Sequence, residues 1–125
     1  TYSEIVERRR SLSACGYHSL EDVGLDGDYV SPYQITSRSS SGPCLLAYNW
    51  LDFCSAIKHR DVLRASGFLD CMPFNRVVDR ALGLAKMERP DVYVTQVFHL
   101  LPKIDLLAYR RRCSMRRLGA SLGMN

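Results

Sequence analysis

The chain has 125 residues, enough for one domain, and combines 46% hydrophobic with 24% charged residues, the mixture of an ordinary globular protein. Its formal charge of +4 is unevenly placed: residues 1–105 carry −1 and residues 106–125, with five arginines and no acid, carry +5. A phosphate-tracking surface spread over the whole body is therefore excluded as the source of the basicity. No apolar run reaches the roughly 18 residues of a membrane span, and the polar start, Thr1 to Arg10, has no signal-type apolar region. Cysteines 15, 44, 54, 71 and 113 are odd in number and form no C-x-x-C pair, so reduced thiols in a cytoplasmic protein are expected. Histidines 18, 59 and 99 have no zinc-type spacing, and neither a metal nor another cofactor is expected.

In chain order, Ser3 with Glu4 and Glu7 marks a helix start. Ile5, Val6 and Leu12 give it a partial apolar face, with Arg8 to Arg10 on the solvated side. From Gly16 to Pro43, glycines, prolines and a serine cluster around Arg38 predict a long irregular stretch. The run 44–48 (Cys-Leu-Leu-Ala-Tyr) suits a buried central strand. A helix is expected over 51–66, with Leu51, Cys54, Ile57 and Leu63 on one face and Gly67 as its stop. Asn75 can cap a further helix with a Val78, Leu82, Ala85 stripe, and Met87 to Asp91 form a turn. Residues 92–98, β-branched and aromatic almost throughout, form the clearest strand. Ile104, Leu107 and Ala108 begin a last helix that runs into the Arg tail.

Two apolar strands separated by helices predict a parallel sheet covered by helices, with any ligand beyond the strands' carboxyl ends. That rule selects residues 48–52 and 96–102. The expected organisation is a single α/β domain over 1–109 and a basic tail over 110–125.

Within the body, Met72-Pro73-Phe74-Asn75-Arg76-Val77-Val78-Asp79-Arg80-Ala81-Leu82 and Arg89-Pro90-Asp91-Val92-Tyr93-Val94-Thr95-Gln96-Val97 resemble the uracil-DNA glycosylase superfamily. There a Pro-Phe pair precedes a helix, and a strand of the type D-V-Y-V-T-N-V follows. Leu45-Leu46-Ala47-Tyr48-Asn49 is similar to that family's first strand and active-site loop. The likeness covers about residues 42–102. It implies a three-layer parallel sheet flanked by helices, here incomplete, and hydrolysis of the N-glycosidic bond of a damaged or deaminated base in DNA, without a cofactor.

Carried over by position, the resemblance makes Phe74 the ring that stacks a flipped base and Gln96 the amide that reads its edge, in place of the family's Asn. Asn49 would orient the attacking water. From its own position, Asp52 is an alternative base in the same cleft, while Tyr48 and His99 flank it. Plainer roles stand beside these: Phe74 as a loop staple, Asn49 as a turn residue, Gln96 as a networked core amide, Tyr48 as a core aromatic, and Asp52 as a helix cap. Arg110, Arg111, Arg112, Arg116 and Arg117 offer non-specific contacts to DNA phosphates. Ala47, Trp50 and Leu51 stand where the family has Gly, Pro and Gly, and no H-P-S-type loop follows His99. A truncated or inactive member is thus one expectation, and a non-catalytic α/β nucleic-acid-binding or protein-interaction module is the alternative.

Overall fold

The computed structural model describes residues 1–103. They form a small mixed α/β domain with four helices and two two-stranded sheets. The helices are α1 (Tyr2–Arg10), α2 (Phe53–Lys58), α3 (Arg60–Ser66) and α4 (Pro73–Ala85). The strands are β1 (Tyr17–His18), β2 (Cys44–Asn49), β3 (Tyr93–Phe98) and β4 (Leu101–Pro102). The last expected helix, from Ile104, and the whole basic tail lie outside the described residues.

β2 and β3 pair in parallel, with Cys44 opposite Tyr93, Ala47 opposite Gln96 and Asn49 opposite Phe98. The crossover between them contains α2, α3 and α4, as a parallel connection requires. Side chains alternate along each strand, so one face of the pair carries Ala47, Val94 and Gln96 inward. The other face carries Leu46, Tyr48 and Val97, which are 60%, 76% and 61% exposed. The expected three-layer sheet is therefore not what these residues build. There are two parallel strands with a single covered face, and β2 is an edge strand rather than a central one. An apolar run such as 44–48 cannot by itself distinguish a strand buried on both faces from one left open on one side.

The covered face meets a core drawn from both the helices and the Gly16–Pro43 stretch. Leu63, Val78 and Leu82 pack with Leu20, Val23, Leu25 and Tyr33 from that stretch. Although irregular, the stretch is ordered by two 3-10 turns, Glu21–Val23 and Pro32–Ile35. The second begins with a reciprocal cap in which the Ser31 hydroxyl accepts from the Tyr33 N–H. Its Gln34 is almost completely buried. The Gln34 Nε2 donates to the Val94 carbonyl, and its Oε1 accepts from the Val30 and Ser31 N–H groups and the Tyr2 hydroxyl. One amide thus joins α1, the loop and β3.

The helix expected over 51–66 is broken at His59, whose φ of −113° leaves the helical region and separates α2 from α3. Leu51 and Leu63 are buried as expected, but Cys54 and Ile57 are exposed, because α2 turns Ser55 and Ala56 inward instead. Gly67 ends α3 with φ +82°, its N–H donating to the Leu63 carbonyl at 2.8 Å. The same residue's carbonyl accepts the buried Trp50 indole N–H at 2.8 Å. α4 starts at Pro73, with Met72 rather than Asn75 at its cap, and buries Val78 and Leu82, while Ala85 is exposed.

Two glycine substitutions should separate. A Cβ at Gly67 would lie 1.9 Å from the Pro32 carbonyl oxygen and would need a left-handed backbone. Gly67→Ala should cost about 2–4 kcal/mol, read as a fall in urea midpoint at unchanged slope. Gly83 lies inside α4 with nothing within 4 Å of an added Cβ. Gly83→Ala should stabilise by about 0.5–1 kcal/mol in the same titration.

Candidate functional site

The carboxyl ends of β2 and β3 lie side by side, and β4 returns the chain beside β1, placing Tyr17 opposite Pro102. Between the two sheets lies a cleft of about 210 Å³ lined by Tyr17, Tyr48, Asn49, Phe98 and Pro102. The Tyr17 and Phe98 rings meet edge to face, with centroids 5.1 Å apart. Tyr48 stands free at the rim. Three aromatic residues, a proline and one carboxamide residue, Asn49, thus line the cleft. The cleft lies beyond the strand ends, as a parallel pair predicts for a ligand site. A larger hollow of about 420 Å³ is walled only by residues 57–62, one contiguous segment that brings no distant residues together.

The sequence-predicted residues divide around this cleft. Asn49 and Tyr48 line it. Asp52 does not: it is fully buried as the cap of α2, accepting the Ser55 N–H and the Ser55 hydroxyl, each at 2.8 Å. The structural role of Asp52 is to cap α2, to which both of its carboxylate oxygens are committed through Ser55. Phe74 packs on Tyr33, with ring centroids 5.8 Å apart, and joins the core rather than the cleft. Beside it, Asn75 is buried, donating to the Leu69 carbonyl and accepting from Arg89, whose guanidinium also lies 3.8 Å from the Phe68 ring centre. The start of α4 is therefore a structural joint.

Gln96 is 3% exposed on the covered face, and its Oε1 has no hydrogen-bond partner. His99 follows β3 but lines a different, water-sized cavity beside Arg9, and its Nδ1 is likewise unpartnered. Burial, reinforced by the charge of Arg9, holds the His99 imidazole below its ordinary value of 6.5. The structure thus brings Tyr48 and Asn49 together but places Asp52, Phe74, Gln96 and His99 elsewhere. Arg110, Arg111, Arg112, Arg116 and Arg117 lie outside the described residues.

Sequence reasoning missed Tyr17, Phe98 and Pro102 as cleft residues. Phe98 and Pro102 were signalled by their position around the end of the clearest strand. Tyr17 carried no such signal, because its place depends on a two-residue pairing with β4 some 85 positions away. Among the described residues, no group of His, Cys, Asp and Glu side chains is placed to hold a metal ion, and no helix is long and apolar enough to cross a membrane. Cysteines 15, 44, 54 and 71 are free and exposed. Comparison of the chain with protein-family models, curated proteins and solved structures returned no match.

Asp52→Ala should cost about 1–2 kcal/mol of stability, the usual worth of a cap, without altering the cleft. Gln96→Leu removes an unpaired buried carbonyl and should leave stability unchanged or raise it by about 1 kcal/mol. Both are read by denaturant unfolding, and a large loss for Gln96→Leu would mean that its amide is networked after all.

Proposed function

We propose that this chain is a non-catalytic α/β nucleic-acid-binding module that holds one unpaired base of a single strand in the cleft of Tyr17, Tyr48, Asn49, Phe98 and Pro102. The observation that carries the reading is an aromatic cleft that includes a single carboxamide at the carboxyl ends of two parallel strands. Aromatic faces stack on any base, contributing about 1–3 kcal/mol each, and an Asn amide can donate to and accept from a base edge. The cleft is small and open at the Tyr48 rim, which favours an unpaired base over a duplex. The five arginines of the tail would add a salt-dependent contribution to the backbone phosphates.

The glycosylase-like reading belongs to the same proposal. Its three-layer sheet would be completed where β2 has a free edge and the parallel pair an open apolar face. Hydrolysis is the second reading, favoured by Asn49, which lines the cleft where that family orients water. Against it, the described part of the cleft offers no carboxylate or imidazole to take a proton from that water.

Anisotropy titrations with a labelled oligothymidine strand decide between these readings. Tyr48→Ala, which removes an exposed ring without disturbing the core, should weaken binding about tenfold, whereas Tyr48→Phe should retain it. A matching duplex should bind less well. Uracil-containing single strands should release no free base; release that disappears in Asn49→Ala would establish the hydrolase reading instead. No binding at low salt would leave the open sheet face, and hence a protein-interaction module, as the functional surface.

A further inference from the structure

α1 is joined to the rest of the chain by polar contacts rather than by an apolar stripe: Tyr2 bonds Gln34, and Arg9 is buried against the loop that follows. Of the helix's side chains only Val6 and Arg9 are buried, and Arg9 is 6% exposed. Its Nη1 meets Asp26 at 2.6 Å, and its Nη2 donates to the Gly27 and Tyr29 carbonyls. The third guanidinium nitrogen, Nε, has no partner. It belongs to a residue lining the roughly 10 Å³ cavity that His99 also lines, and the His99 Nδ1 is likewise closed off and unpartnered. A void of that size suits one water, which needs polar partners such as these two nitrogens supply.

We propose that His99 is a proton-operated lock on α1: neutral, it shares the buried cavity with Arg9 and the helix is docked; protonated, it sets a second cation against Arg9 and the helix is released. The charged groups facing the cavity are Arg9 and Arg10 from α1, Glu21 from the first 3-10 turn, and Asp26 from the following loop. Asp26 is already committed to both arginines, with Arg10 Nε at 3.1 Å from its carboxylate. Burial alone would raise the Asp26 carboxyl, but the two guanidinium groups outweigh it and hold it below its ordinary value, so Asp26 stays ionised while His99 titrates. Glu21 is exposed to solvent, which screens its charge.

The direction follows from linkage. A histidine held below 6.5 when docked takes up its proton more readily when undocked, so docking is fully favoured above that pH and weakens as pH falls through it. His99 lies between Phe98 of β3 and the Leu101–Pro102 strand, and both Phe98 and Pro102 line the aromatic cleft.

NMR of the whole chain tests it. The His99 ring signals should titrate with a midpoint below 6.5. With the same midpoint, amide protection in Val6 to Arg10 should fall on the order of tenfold relative to α4, after correction for intrinsic exchange. In His99→Gln the relative protection of α1 should no longer depend on pH between 7 and 5. Unchanged protection of α1 across the His99 titration would overturn the proposal, as would a pH-dependent loss that persists in His99→Gln. Should that variant fail to fold, the coincidence of the two midpoints in the unaltered chain still decides.

Discussion

A two-stranded parallel ribbon has too little mutual contact to stand alone in water, so the fold depends on what is attached to the other edge of β3. That edge is filled by main chain and by a side chain. The Val94 N–H donates to the Ser37 carbonyl, the Ser39 N–H to the Val92 carbonyl, and the Val94 carbonyl accepts from the Gln34 amide. A stretch rich in serine and glycine therefore behaves as a third, irregular strand. Its Gln34 also accepts from Tyr2 at the start of α1. Because a buried amide left unpaired is costly, these bonds fix the stretch, β3 and α1 relative to one another.

Much of this was legible in the sequence where a local rule decides. Strand 92–98, the stop at Gly67, the Val78 and Leu82 stripe, and the turn before β3 follow from β-branched runs, glycine geometry and helical periodicity, and each recurs in the structure within a residue or so. The ordering of residues 16–43 was not legible. Leu20, Val23, Leu25, Val30 and Tyr33 are all buried there, yet they follow neither a two-residue nor a 3.6-residue period. They are brought inward by turns whose caps and side-chain bonds depend on distant partners. The break at His59 escaped for the same reason: nothing in residues 51–66 forbids a continuous helix, and tertiary packing decides the matter.

The candidate site divides along the same line. Asn49 and Tyr48 line the cleft because a strand end is a local feature and the rule for parallel sheets is general. Assigning Phe74, Gln96 and Asp52 to the same cleft required three separate elements to converge on it. Instead, Asp52 satisfies the start of α2, Phe74 fills the gap beside Tyr33, and Gln96 is turned inward by the pleat opposite Ala47. Each side chain meets a structural need nearest to it, and the cleft is left to the residues that no core or cap requires.

The three consecutive arginines of α1 show how far charge patterning reaches. A run of like charges is ordinarily a solvated face, and Arg8 and Arg10 do face solvent in whole or part. Arg9 lies three residues after Val6, on the same side of the helix, so docking through Val6 must carry it inward as well. Its charge is then balanced by Asp26, two carbonyls and the face of the Tyr29 ring, 6.0 Å away. Desolvation opposes most of the attraction of a buried, partnered cation, so its net contribution to stability is small. α1 is thus held by polar contacts of Arg9 and Tyr2, and the proposed protonation of His99 would add its charge beside the first of them.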